Sequence, residues 1–245
     1  MCTVTFMPRR TGYCLAMNRD EKRARSVGLA PAQKNVGGHA VIYPSEPGGG
    51  TWISLNDRGV SLALINWYSV AQQVKGSTVS RGEVIPSVIT ASTENLVQAC
   101  LDGLPLDRIN PFRLISIFPG SRAVTEWGWD LKQLVRREHP WRPHQWVSSG
   151  FDELRAQQVR GRTFEKAESQ ESAGSIDWLR SLHQSHSPRK GPFSTCMHRE
   201  DAVTVSYTEV GVLANRATMK HVLGAPCSSR QVSSLHLRVS QNLGE

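Results

Sequence analysis

The chain has 245 residues, 39% of them hydrophobic and 20% charged, enough for one sizeable core in a single domain over 1–245. No stretch approaches the roughly 18–20 apolar residues that cross a bilayer, which argues against stable membrane insertion. The formal charge of +8 comes from 29 basic and 21 acidic residues scattered along the chain. With no zinc finger, RNP-like aromatic motif or long basic helix, it reads as a solvated surface and argues against nucleic acid as a partner.

In chain order, residues 2–7 and 12–17 read as two strands joined by a short turn over 8–11, a hairpin signal. Arg9 and Arg10 interrupt the early apolar run, so no secretory signal is read and the expected compartment is the cytoplasm. Residues 39–43, 51–55 and 59–66 are further strands, separated by the glycines 48–50 and by the Asn56-Asp57-Arg58-Gly59 turn. Such short connections favour antiparallel pairing. Residues 80–90 and 93–102 have helical spacing. Ser92-Thr93-Glu94 gives an N-cap signal, and Pro86 is expected to break or kink the first helix. Strand character returns over 112–118 and 123–129. Helices are predicted over 151–168 and 175–186, the second with Ile176, Leu179 and Leu182 on one face. A loop over 185–194 precedes a strand over 202–210, with two more over 217–223 and 234–239. The resulting class is α+β with mainly antiparallel sheets.

Chemistry starts at the terminus. The five cysteines are Cys2, Cys14, Cys100, Cys196 and Cys227; the number is odd, no CxxC pair occurs, and the spacing predicts neither a metal site nor a disulfide framework. Cys2 differs from the rest because a small second residue leads to removal of Met1. The new first residue then carries a thiol and a free α-amine together. A thiol of pKa about 8.5 is mostly protonated at neutral pH, and an α-amine of pKa about 7.7–8.0 can take its proton. The plain alternative is an ordinary strand residue. Asn18-Arg19-Asp20-Glu21 ends the second strand, which a hairpin brings beside Cys2. On an extended strand Asn18 and Asp20 share one face while Arg19 and Glu21 share the other, so two of the four face any site there. The alternative is a polar turn with a surface salt bridge of little worth. Most histidines sit in polar surroundings; His198 is the one to watch as a ligand for haem or substrate.

Met-Cys followed at this distance by Asn-Arg-Asp-Glu resembles the NRDE family, which includes the transport-and-Golgi-organisation proteins. Gly49-Gly50-Thr51-Trp52 is similar to that family's GGTW segment, and Ser194-Thr195-Cys196-Met197-His198-Arg199 to its C-terminal block. The resemblance implies a four-layer αββα sandwich of the N-terminal-nucleophile (Ntn) hydrolase type. Its relatives with known chemistry, such as penicillin V acylases and bile salt hydrolases, cleave linear amides with an N-terminal cysteine. Carried onto this chain, the resemblance implies Cys2 as nucleophile, Arg19 and Asp20 as catalytic partners and Asn66 as an oxyanion-hole donor. Asn18, Glu21, Trp52 and Ser149 are the implied substrate-binding residues. Those relatives space their Arg and Asp three apart, whereas Arg19 and Asp20 are adjacent, so either register stays open. The expected function is hydrolysis of an amide in a small molecule, with no cofactor required. The alternative is a non-enzymatic carrier of an anionic amphipath such as haem or an acyl-CoA, with Cys2 as an iron ligand.

Overall fold

The computed structural model describes residues 1–240. The strands β1 (Cys2–Arg9), β2 (Gly12–Lys22), β3 (Leu29–Val36), β4 (His39–Ser45), β5 (Ile53–Asn56) and β6 (Ser61–Asn66) open the chain. The helices α1 (Val84–Val88) and α2 (Glu94–Asp102) follow, then β7 (Phe112–Phe118), β8 (Ala123–Trp129), β9 (Leu134–His139) and β10 (His144–Ser148). After α3 (Glu153–Glu168) and α4 (Ile176–Gln184) come β11 (Ala202–Leu213), β12 (Arg216–Leu223) and β13 (Gln231–Arg238).

The strands form two antiparallel sheets, of order β10-β1-β2-β11-β12-β13 and β3-β4-β5-β6-β7-β8-β9. Three apolar layers join them to the helices. Alternation along β1 and β2 sends Val4, Phe6, Tyr13, Leu15 and Met17 into the space between the sheets, where they meet Ile53, Ile65 and Ile115. The opposite face of the first sheet, with Met7, Cys14 and Ala16, packs on Phe164 of α3 and Trp178, Leu179 and Leu182 of α4. The outer face of the second sheet places Leu62, Leu114 and Trp127 against Val84, Val88, Val97 and Leu101 of α1 and α2. This is the expected αββα sandwich. Strands of its first sheet are buried on both faces, so β1 and β2 carry near-continuous burial rather than a wet side.

Three strands went unread in the sequence, and each lies at or next to a sheet edge. β3 and β9 are edge strands whose side chains are largely exposed, so they carry no apolar alternation. Pro31 is tolerated in β3 because an edge strand leaves some N–H groups without a ladder partner. β10, five residues long, closes the other sheet beside β1. The expected break at Pro86 is also corrected. A 3-10 turn at Arg81–Glu83 is capped by Ser80, and α1 then runs through Pro86 in its first turn, where a proline's missing N–H costs no intrahelical bond. Within the Ser92-Thr93-Glu94 signal it is Thr93 that caps α2, its side chain accepting from the Leu96 N–H.

One polar bridge crosses the inter-sheet core. The buried Tyr13 hydroxyl donates to the Gly59 carbonyl at 2.7 Å and shares a hydrogen bond with Ser61 Oγ at 2.6 Å. Tyr13→Phe leaves both partners dry and is expected to lower the unfolding free energy by about 1–3 kcal/mol, read from urea unfolding at unchanged m-value.

Candidate active site

At one end of the inter-sheet core a cavity of about 380 Å³ opens between the two sheets. Cys2, Arg19 and Glu21 line it from the first sheet, and Trp52, Leu64 and Asn66 from the second. The chain around Arg81 and Gly82 forms a further wall. Cys2 is the first residue of β1, flanked by Arg19 of β2 and Ser148 of β10 in the ladder. It shares the inward parity of Val4 and Phe6, which is why its thiol faces the space between the sheets. Met1 continues the pairing: its amine donates to the Asp20 carbonyl at 3.0 Å and its carbonyl accepts from the Asp20 N–H at 2.8 Å. Burial pushes the Cys2 thiol up, against the opposing pull of the terminal amine and of Arg19.

The Asn18–Glu21 tetrad divides by parity. Arg19 and Glu21 stand on the cavity face with Tyr13, Leu15 and Met17. The Arg19 guanidinium lies 4.3 Å from the centre of the Trp52 ring and 2.5 Å from Glu46 Oε1. Arg25 bonds Glu21 at 2.8 Å and Glu46 at 2.9 Å, so two arginines and two glutamates close a ring at the cavity mouth. Burial alone would raise the Glu21 carboxyl, but the terminal amine, the Lys22 N–H, Arg25 and Arg19 together hold it below its ordinary value.

Asn18 and Asp20 point the other way, into the layer beneath α3 and α4. The Asn18 amide donates to the carbonyls of His183 and Thr195, at 2.9 and 2.8 Å. The expectation that Asn18 binds substrate is therefore corrected: its side chain pins a helix end and a loop. The Asp20 carboxylate accepts from Arg160 Nη1 at 3.2 Å and Thr204 Oγ1 at 2.6 Å, and Arg160 Nη1 also donates to Thr3 Oγ1 at 2.6 Å. Asp20 borders the cavity beside Met1 through its main chain, with its carboxylate turned to the far face. The catalytic role expected for the Asp20 side chain is thus corrected: its carboxylate positions β2 and does not reach the cavity.

Asn66 lines the cavity, and its Nδ2 donates to the Tyr68 hydroxyl at 2.7 Å. Ser149 does not line it: its hydroxyl accepts from the Phe151 N–H, closing the turn after β10, so the substrate-binding expectation for Ser149 is corrected as well. His198 also lies outside, on the loop between α4 and β11, which removes it as a ligand for anything bound at Cys2. There the fold brings it together with His186, Cys196 and Cys227, a convergence that the cysteine spacing did not predict.

The residue that sequence reading missed is Arg81. Its Nη1 donates to the Pro111 carbonyl at 3.2 Å, and among the described residues it makes no ion pair, although it stands close to Cys2, Tyr68 and Glu21. Burial lowers its pKa from the ordinary value. What holds it there is a backbone contact: a Cβ on Gly50 would come within 3.0 Å of the Gly82 Cα, and the Thr51 N–H donates to the Gly82 carbonyl at 3.1 Å. The second glycine before Thr51 and Trp52 thus has a physical reason, which only the tertiary contact reveals.

A family profile described as Transport and Golgi organisation 2 matches residues 1–126. Among solved structures, a variant of a conjugated bile acid hydrolase from Clostridium perfringens superposes with a TM-score of 0.56 at 10% identity, covering 98% of this chain and 94% of that one. Penicillin V acylase from Agrobacterium tumefaciens gives 0.55 at 11% identity, covering 91% and 83%. At such identity the likeness concerns the fold alone, which is that of Ntn hydrolases. A search of curated protein sequences gave no match. No helix among the described residues is long and apolar enough to cross a membrane.

The Asp20–Arg160 pair is 0% and 1% exposed, so removing one partner strands a charge in the core. Arg160→Met is expected to cost about 3–5 kcal/mol in urea unfolding. Adding Asp20→Asn to the same variant is expected to restore part of the loss, because the stranded charge is then gone.

Proposed function

The chain belongs to the Transport and Golgi organisation 2 family, and from that premise we propose that it is an N-terminal-cysteine hydrolase of a linear amide C–N bond, with Cys2 as nucleophile once Met1 is removed. The observation that carries this reading is the placement of the Met1–Cys2 peptide. It runs along the wall of a polar cavity, so loss of one residue delivers an α-amine beside the thiol. The same loss frees the Asp20 N–H that holds the Met1 carbonyl at 2.8 Å, leaving a main-chain donor at the cavity wall.

The proposed step follows from those groups. The Cys2 sulfur attacks the substrate carbonyl carbon while the thiol proton passes to the α-amine. The developing oxyanion takes hydrogen bonds from the freed Asp20 N–H and from Asn66 Nδ2, which has a second hydrogen beyond the one given to Tyr68. Collapse breaks the C–N bond, and the ammonium protonates the leaving amine. Water, deprotonated by the same amine, then cleaves the thioester, releases a carboxylic acid and restores the thiol. Arg19, fixed by Trp52 and Glu46, supports the thiolate. Trp52 and Glu21 form the binding wall. A reducing cytoplasmic setting is part of the proposal, since it keeps the Cys2 thiol free.

Arg81, with no ion pair among the described residues, favours a substrate with an anionic group, for which a guanidinium offers two parallel donors. That same residue is what supports a second reading, a carrier of an anionic amphipath such as haem or an acyl-CoA. Turnover separates the two.

Intact-mass measurement of the purified protein is expected to show a chain beginning at Cys2; a retained Met1 ends the hydrolase reading. A panel of fluorogenic amides, with and without a carboxylate, is expected to show turnover that falls roughly 10⁴-fold or more in Cys2→Ala. Saturable haem binding lost in Cys2→Ala, with no turnover of any amide, would instead support the carrier. For a carboxylate-bearing amide, Arg81→Gln is expected to raise KM about 10–100-fold with kcat little changed, as loss of a charged hydrogen bond in ground and transition state alike requires.

A further inference from the structure

Away from the cavity, two segments distant in sequence meet at the edge of the first sheet. The loop between α4 and β11 carries His186, Cys196 and His198, and the turn between β12 and β13 carries Cys227. One ligating atom from each lies within 4.8 Å of all the others. His186 Nε2 stands 3.2 Å from His198 Nε2, and that same His198 nitrogen is 3.6 Å from Cys196 Sγ and 3.5 Å from Cys227 Sγ. Zinc binds imidazole nitrogen at about 2.0–2.1 Å and thiolate at about 2.3 Å, so a tetrahedron with those bonds has N···N edges of about 3.3 Å and N···S edges of about 3.6 Å. The three separations agree with those edges to within about 0.2 Å.

We propose that His186, Cys196, His198 and Cys227 form a structural zinc site. The donor set selects the metal: two thiolates and two imidazoles suit zinc and suit magnesium, calcium or manganese poorly. Four protein ligands fill the tetrahedron and leave no position for water, which makes the site structural rather than catalytic. On binding, two Zn–S bonds replace two S–H bonds, two protons pass to solvent, and the imidazoles bind neutral. The complex carries no net charge, which suits the burial of Cys196 and the partial burial of the other three.

Hydrogen bonds within the loop shape it for this. The Cys196 N–H donates to the Ser185 carbonyl at 3.0 Å, the His198 N–H donates to the Gly191 carbonyl at 3.1 Å, and Ser194 Oγ donates to the Cys196 carbonyl at 2.6 Å. These bonds fold the chain back so that His186 and His198 face one another. The same loop touches the back of β2. The Thr195 carbonyl accepts from Asn18, and the Met197 N–H donates at 2.8 Å to Thr204 Oγ1, which donates to Asp20. Zinc would therefore tie the β12–β13 turn to the loop that braces the outer face of the strand beside Cys2.

The test uses the full chain without a histidine tag, purified under reducing conditions. Elemental analysis is expected to give one zinc per chain, and chelation is expected to lower Tm. Cobalt(II) in its place is expected to show the intense visible bands of tetrahedral coordination together with thiolate-to-cobalt charge transfer. Cys227→Ser is expected to weaken zinc binding and, when loaded with excess cobalt, to show about half of the charge-transfer intensity, with far-UV circular dichroism unchanged, whereas Cys100→Ser, at an exposed cysteine of α2, leaves both readouts intact. Substoichiometric zinc after reconstitution, or a cobalt spectrum that is weak, octahedral or indifferent to Cys227→Ser, would overturn the site. None of these readouts depends on Met1 removal or amide turnover, so the two proposals fail separately.

Discussion

A strand buried on both faces gives its polar residues no solvent to turn to. β2 is such a strand, with β1 and β11 as neighbours, a second sheet on one face and two helices on the other. Where its apolar residues end, Asn18, Arg19, Asp20 and Glu21 must each find partners inside the protein, since a buried polar group without one costs more than a hydrogen bond returns. Period-two alternation decides which partners each can reach. Asn18 and Asp20 are committed to the helical side, where carbonyls, Thr204 and Arg160 satisfy them. Arg19 and Glu21 are committed to the inter-sheet side, where the apolar core stops and a cavity begins. The position of the candidate site follows from this: it is where the inward face of β2 changes from methionine to arginine.

Electrostatics inside that cavity are unevenly settled. Arg19, Arg25, Glu21 and Glu46 compensate one another in a ring and give the mouth shape rather than net charge. Arg81 is left over, desolvated and held by a backbone contact between two glycines. This partly buried guanidinium, with no ion pair among the described residues, leaves a positive charge uncompensated beside Cys2.

Much of this was legible in the sequence wherever burial leaves a pattern. The hairpin of β1 and β2, the strands of the inter-sheet core and the cap of α2 all show apolar alternation or a capping side chain. The edge strands β3 and β9 show neither, because their side chains are largely exposed. Alternation also said that only two of the four tetrad residues face one site. Which two was available from parity, since Arg19 continues the series Tyr13, Leu15, Met17, and Cys2 begins the series Val4, Phe6. The choice of Asn18 as a binding residue ignored that parity. Arg81 was not legible, because nothing local to residue 81 says that Gly82 meets Gly50. The His186, Cys196, His198 and Cys227 cluster was hidden for the same reason: its fourth member comes from a different turn, so no spacing rule could join it to the rest.

The two faces of β2 are mechanically one object. Displacing Asp20 toward the helical side moves its main chain, and that main chain is the rung on which Met1 and the start of β1 are paired. Arg160 holds Thr3 and Asp20 with the same guanidinium nitrogen, so the neighbouring strands that bear Cys2 and Arg19 are fixed against each other from behind. The loop carrying Cys196 and His198 reaches the same carboxylate through Thr204. Residues that never enter the cavity therefore set the register of the residues that do. A carboxylate used this way needs to be buried and hydrogen-bonded rather than near the substrate, which is why Asp20 can matter to Cys2 without facing it.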